Sequence, residues 1–162
     1  NYQHEGIEGI PMTTEKLITE ELRKSIGVES PPLEVEIEKG AVRRFAEAIG
    51  DPNPLYWDEA HARKSHYGGI IAPPTFLRSV TPTIPDVSQY NLPVKRILDA
   101  GSEWEYSAPV RAGDKLLITL KLANAMERKG RLGQMLFTNY EITYKRPSGE
   151  VVATQKATLI YY

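Results

Sequence analysis

Hydrophobic and polar positions fall into two regimes along the chain. In the first half the apolar residues recur at helical spacing. Ile18, Leu22 and Ile26 are four apart, and Gly27 stands where a left-handed C-terminal residue belongs, so a helix is expected to start at Thr13 or Thr14. After Pro31-Pro32, Leu33, Val35 and Ile37 alternate with Glu34, Glu36 and Glu38, the pattern of a half-buried strand with an acidic outer face. Val42, Phe45, Ala46 and Ile49 then form one apolar face of a second helix over 41–49, which Gly50 ends.

The middle of the chain is punctuated by proline. Asp51-Pro52-Asn53-Pro54-Leu55-Tyr56-Trp57 is held irregular by two prolines in three positions. Asp58 suits the N-cap of a short helix reaching Lys64, and Tyr67-Gly68-Gly69 reads as a turn. Pro73-Pro74 opens a helix over about 75–80, where proline's missing N–H has no intrahelical partner to lose. Pro82, Pro85 and Pro93 keep 81–95 in a loop.

The last third changes to period two. Trp104 and Tyr106 alternate with Glu103 and Glu105, and Leu116, Ile118, Leu120 and Leu122 alternate after an Ala112-Gly113-Asp114 turn. Residues 128–133 read as a turn before a strand over 135–144. Pro147-Ser148-Gly149 turns into a last strand over 151–161. One antiparallel sheet is therefore expected from 33–38, 102–108, 116–123, 135–144 and 151–161, around a helix near 74–80. The class is α+β: a loose lead-in over 1–12, then a single domain over 13–162.

Composition narrows the function. The chain has 162 residues, with 20 Lys+Arg against 21 Asp+Glu, a formal charge of −1. That balance offers no basic excess for a nucleic-acid backbone or an anionic membrane, so neither partner is expected. No apolar run exceeds four residues, which leaves nothing to span a bilayer. Cysteine is absent, so there are no disulfides and no thiolate metal ligands. Nothing points away from the cytosol, and a cytoplasmic protein is expected.

Chemistry has few candidates. His4 lies in the loose start. His61 and His66 are five apart, not the four that would put two ligands on one helical face, so no metal site is expected. No phosphate loop, HExxH or GxSxG motif occurs. Asp51 and Asn53, pinned between prolines behind a packed helix, admit two readings: a capping turn in which both bond local N–H groups, or a polar pair held for chemistry.

The residues around that pair have a wider likeness. Phe45-Ala46-x-Ala48-x-Gly50-Asp51-Pro52-Asn53-Pro54-Leu55-Tyr56, followed by Tyr67-Gly68-Gly69-x-x-Ala72-Pro73-Pro74-Thr75-Phe76, resembles the N-terminal-type MaoC dehydratase branch of the MaoC-like (R)-specific enoyl-thioester hydratases and dehydratases. The likeness extends more thinly over 17–162, through Gly101-x-Glu103-Trp104-x-Tyr106 and Val110-Arg111-Ala112-Gly113-Asp114. It implies a hot-dog fold, a curved antiparallel sheet wrapped around a central helix. It also implies an acyl thioester of coenzyme A or acyl carrier protein as substrate, with no further cofactor. In that family an aspartate and a histidine share a water, moving a proton off it and delivering one to the α-carbon. A backbone N–H at the start of the central helix polarises the thioester carbonyl. Carried over, Asp51 takes the carboxylate role and Asn53 the positioning role. Ala72, Pro74, Thr75 and Phe76 fall on the substrate-binding segment.

Two departures bear on activity. The family's histidine is Tyr56 here, and a phenol with a pKa near 10 is no base at neutral pH. The family's His-Gly is Pro73-Pro74, and proline has no N–H for an oxyanion. Losing a general acid/base costs roughly 10²–10⁴ in rate, and losing one oxyanion donor roughly 10²–10³. The resemblance thus implies a degenerate site at Asp51, Asn53 and Tyr56, in a subunit that shapes the acyl site beside a catalytic MaoC-like chain. The alternatives are a self-sufficient hydratase using Asp51, a hot-dog thioesterase, and a non-enzymatic acyl-thioester-binding protein. A single curved sheet leaves an edge open, so a homodimer or a heteromer with a MaoC-like chain is expected rather than a monomer.

Overall fold

The computed structural model describes residues 16–162 except 86, 91, 95 and 132. Thr13, Thr14, His4 and the 1–12 lead-in lie outside the described residues. The elements are helix α1 (Glu20–Ser25), strand β1 (Leu33–Glu36), helix α2 (Lys39–Ala48), helix α3 (Glu59–Lys64) and strands β2 (Ile97–Tyr106), β3 (Lys115–Gly130), β4 (Gly133–Lys145) and β5 (Val151–Tyr161). Short 3-10 helices occupy Pro54–Tyr56, Pro74–Ser79 and Val87–Tyr90. The strands form one sheet in the order β1-β3-β4-β5-β2, every pair antiparallel. This is the α+β arrangement expected from the alternation.

Alternation also decides which face is buried. Leu116, Ile118, Leu120 and Leu122 of β3, Leu136, Tyr140, Ile142 and Tyr144 of β4, and Ala153, Ala157, Leu159 and Tyr161 of β5 all point inward. They join one continuous core with Leu22 of α1, Ile37 just before α2, Val42 and Ala46 within it, and Phe76 and Leu77 of the Pro74–Ser79 helix. The ring of Phe45 meets that of Phe76 edge-on, centroids 5.5 Å apart, and so fastens α2 to the inner helix.

Several boundaries differ from the sequence reading. The first described helix begins at Glu20, capped by the Thr19 hydroxyl, which accepts from Leu22 N. The second helix starts at Lys39, and Ile49, placed on its apolar face by spacing, is its C-cap and 49% exposed. β1 stops at Glu36 with Leu33 46% exposed, because it is an edge strand; Ile37 is instead tied by backbone bonds to Gly113 and Asp114. The inner helix spans Pro74–Ser79 and is 3-10 rather than α. The 81–95 loop contains the turn Val87–Tyr90, whose Val87 is buried in the core. β2 begins at Ile97, five residues early, and ends at Tyr106.

The largest shift is in the β3–β4 hairpin. Residues 128–130, read as a turn from their charge and glycine, continue β3: Arg128 pairs with Met135 and Lys129 with Gln134. Long polar side chains sustain this arm. The Arg128 guanidinium lies 5.4 Å from the Phe137 ring centroid, and Gln134 Nε2 donates to Glu127 Oε2 at 2.6 Å. Gly133, at φ +94°, opens β4 opposite Gly130 in a backbone conformation that favours glycine.

One polar chain crosses the core. Tyr144 shares a hydrogen bond with Thr81 Oγ1 (2.7 Å) and donates to Gln155 Oε1 (3.1 Å); Gln155 Nε2 donates to Ser102 Oγ (3.0 Å). It ties the end of the inner helix, through β4 and β5, to the irregularity in β2 between Asp99 and Ser102. Burial pushes the Tyr144 phenol up to about 12. With the folded-state value above the ordinary 10, the stability it carries is present in full below pH 10 and is lost as pH rises through about 12. Tyr144→Phe is expected to cost about 1–3 kcal/mol at neutral pH, since Gln155 and Thr81 lose a buried partner. It is also expected to flatten the fall in stability between pH 10 and 12, as read by urea denaturation across that range. An unchanged alkaline slope would show that this phenol does not govern it.

Candidate functional site

The proline-bound loop after α2 folds through its own side chains. Asp51 Oδ1 accepts from Asn53 N at 3.0 Å, and Asn53 Oδ1 accepts from Leu55 N at 3.1 Å. These two Asx turns deliver the chain into the 3-10 turn Pro54–Tyr56. Asp58 then caps α3, its Oδ1 accepting from His61 N at 3.0 Å. A backbone bond closes this loop against the next segment, Ile71 N donating to Leu55 O (3.2 Å), and Ala72 N ties that segment in turn to Val110 O (2.8 Å).

The three segments enclose a cavity of 390 Å³. Leu55, Ile71, Leu77 and Val110 give it apolar walls, and Asn53, Tyr56, Tyr67, Tyr106 and Ser107 bring polar groups to its lining. Side chains behind the lining brace it. Arg111 Nε donates to Tyr67 O (3.1 Å), and Arg146 Nη2 donates to Pro109 O and to Asp114 Oδ2, each at 2.8 Å. The Tyr106 hydroxyl donates to Pro74 O at 2.5 Å, linking the end of β2 to the inner helix.

The residues singled out from the sequence separate into three groups. Asn53, Tyr56, Ala72 and Pro74 line the cavity together. Asp51 lines an adjoining groove instead, with Arg43, Glu47, Pro52 and Trp57. Phe76 is packed into the core against Phe45, and Thr75 is exposed at the start of the inner helix. Pro73 and Pro74 have no N–H, so the first N–H of that helix belongs to Thr75. His61 and His66 are both exposed; the His66 ring lies against that of Tyr67, centroids 3.8 Å apart. Among the described residues no cluster of His, Asp and Glu could hold a metal ion.

Tyr56 is 7% exposed, and its phenol is pushed above the ordinary 10. Burial is the main cause and the Asp51 charge adds to it, while the hydrogen bond with the Asn53 side chain pulls the other way. The group is a neutral hydrogen-bond donor at pH 7, and so is the Asn53 amide. The cavity can therefore hold and orient a carbonyl, yet its lining brings no base poised near neutrality. Tyr67, Tyr106 and Ser107 were not singled out. Tyr67 and Tyr106 do stand inside the matched strings, and no pattern in the sequence shows that they converge.

A family model described as FAS1-like, dehydratase domain region, matches residues 24–155. The chain belongs to this family of MaoC-like dehydratases. A UPF0336 protein of Saccharopolyspora erythraea is 34% identical over 140 residues, covering 83% of this chain and 87% of that one. Another, from Streptomyces avermitilis, is 37% identical over 99 residues, 58% of this chain and just under two thirds (66%) of the relative. A protein of Thermomonospora curvata named as a probable enoyl-CoA hydratase alpha subunit is 28% identical over 138 residues, 75% of this chain but 43% of that longer one. Among solved structures, the ChsH1–ChsH2 complex of Mycobacterium tuberculosis superposes with a TM-score of 0.69 at 23% identity, covering 83% of this chain and 88% of the other. The HadBC 3R-hydroxyacyl-ACP dehydratase complex of the same organism gives 0.68 at 21%, covering 84% and 96%. At these identities the structures establish the fold, a hot-dog of the MaoC-like kind.

The environment of Tyr56 in this MaoC-like chain is open to direct titration. The phenolate absorbance present in wild type and missing from Tyr56→Phe is expected to develop above pH 10. A midpoint at or below 10 would mean that the ring is not held neutral by burial.

Proposed function

We propose that this chain is the non-catalytic or weakly catalytic component of an enoyl-thioester hydratase or (R)-3-hydroxyacyl-thioester dehydratase. It shapes the acyl site beside a MaoC-like partner that carries the proton-transferring pair. The observation that carries this reading is the lining of the cavity. A neutral phenol, Tyr56, lines it at the position where hydration needs an imidazole, beside the positioning amide Asn53, while the Asp51 carboxylate is bonded to Asn53 N and lines an adjoining groove. The apolar walls suit an acyl chain, and the polar groups suit a thioester carbonyl. A relative named as a probable enoyl-CoA hydratase alpha subunit, and neighbours solved as two-chain complexes, support a chain that works in a pair.

Each residue has a defined task in this reading. Tyr56 and Asn53 donate hydrogen bonds toward the bound thioester. Leu55, Ile71, Leu77 and Val110 exclude water from the acyl chain. Thr75 N–H is the first donor of the inner helix available to a carbonyl oxygen. Asp51 keeps the loop in shape through Asn53 N, and the partner supplies the base that removes a proton from water.

The purified chain is expected to hydrate crotonyl-CoA or a longer enoyl-CoA barely above background, followed by loss of the conjugated-enoyl absorbance. Adding a MaoC-like chain with an intact aspartate and histidine is expected to raise the rate by about 10² or more. Tyr56→His with Pro74→Gly is expected to recover a fraction of activity in the chain alone, and Tyr56→His by itself less. Robust hydration by the wild-type chain without any partner, abolished by Asp51→Asn, would overturn the proposal and make this an independent enzyme.

A further inference from the structure

A row of alternating charge crosses the outer face of the sheet. Glu29 bridges to Lys121 of β3, and Lys121 faces Glu141 of β4 with Nζ 2.8 Å from Oε2. Glu141 stands opposite Lys156 of β5, and Lys156 stands opposite Glu103 of β2. Acid meets base at every strand boundary, the favourable cross-strand arrangement. The row then ends, because β2 is the last strand in the order. Glu105, opposite Thr154, lies on the same outer face.

β2 has the character of an edge that is meant to be covered. Ile97, Leu98 and Tyr106 are large, apolar and exposed. Between Ile97 and Tyr106 the strand carries Asp99, Glu103 and Glu105 and no lysine or arginine. Asp99 is engaged in the irregularity, its Oδ1 accepting from Gly101 N at 2.9 Å where Gly101 sits at φ +106°. The regular half of the edge, Ser102–Tyr106, therefore shows two outward carboxylates to anything that extends the sheet.

A second copy would have to present the same strand, antiparallel, about a two-fold axis. Centred on Glu103 or on Glu105, such pairing sets that glutamate against its own image. Centred on Trp104, it sets Glu103 against Glu105 twice. Like charges directly opposite destabilise a strand pair. Pairing centred on the irregularity escapes this only by losing ladder bonds around Gly101.

We infer that β2 docks the edge strand of a second, different hot-dog chain bearing lysine or arginine opposite Glu103 and Glu105, and that these two glutamates select it over a second copy. This rests on the reading that the chain works beside a partner subunit, and it names the chemistry that chooses the partner. The alternating row continues across such a joint and is interrupted at a joint between two copies.

The test uses a charge-reversed copy, E103K/E105K, as the basic edge. In sedimentation equilibrium at low salt, with one protein dye-labelled, the mixture with wild type is expected to form a mixed dimer about tenfold tighter than either protein forms alone. The preference is expected to vanish near 1 M NaCl, where screening acts over about 3 Å. E103Q/E105Q, which removes charge without reversing it, is expected to self-associate more tightly than wild type and serves if the reversed copy does not fold. A wild-type dimer as tight as the mixed pair at every salt concentration, with E103Q/E105Q no tighter, overturns the inference. Binding of butyryl-CoA to wild type is read separately by calorimetry. Intact binding with no edge preference overturns the edge inference alone; an edge preference without binding overturns the reading of the cavity alone.

Discussion

Register across β3, β4 and β5 is the constraint on which everything else in this molecule rests. Side chains alternate between the faces with a period of two, so a slip of one residue would exchange Leu116, Ile118 and Ile142 for Thr119, Lys121 and Glu141. Burying that charged set would cost far more than the few kcal/mol by which domains are stable. The two faces hold the register from opposite sides. Inside, the apolar residues close on the inner helix and on α2. Outside, Lys121 and Glu141 meet across the strand boundary. The chain from Thr81 through Tyr144 and Gln155 to Ser102 then carries this register to β2, and so to the strand that ends at Tyr106.

The cavity follows from what that frame holds in place. Tyr106 leaves the sheet beside Pro74, and the segment after it is gripped by Ala72 N and by Arg146. The loop from Asp51 to Tyr56 closes the remaining side, stiffened by prolines and by its own Asx turns. Of the pair that the family resemblance implies for proton transfer, the histidine position holds Tyr56, and the Asp51 carboxylate is bonded to Asn53 N, its charge still felt at the Tyr56 phenol. The apolar walls and the hydrogen-bond donors are kept. In the proposed reading, these walls and donors hold a thioester and form one half of a divided site.

The alternating strands were legible because period two over eight or more residues has few other solutions. The α3 cap at Asp58 and the reversal at Gly113 were legible for the same local reason. Ile49 was misplaced because helical spacing marks which face it is on and says nothing about whether another element covers that face. The extension of β3 through Arg128 and Lys129 was hidden because charge and glycine read as a turn, while the pairing that sustains the arm lies on β4. At the site, the loop from Asp51 to Asn53 admitted two readings. Both of its local hydrogen bonds are formed, yet Asn53 and Tyr56 still face a cavity that Asp51 does not line.

By itself the sequence determined what depends on neighbours along the chain: the alternation, the caps, the proline-stiffened loop, the lack of an imidazole five residues after Asp51, and the want of an N–H at Pro73 and Pro74. Covalent structure sets these, and folding adds no imidazole at Tyr56 and no N–H at Pro73 or Pro74. Tertiary structure alone decided which groups meet. It brought Tyr67 and Tyr106, 39 residues apart in the chain, to one cavity with Tyr56, and it set Lys121, Glu141, Lys156 and Glu103 in a line across four strands. Those meetings depend on strand register and on the closure of long loops. Both are fixed by burial summed over the whole core, so no local pattern contains them.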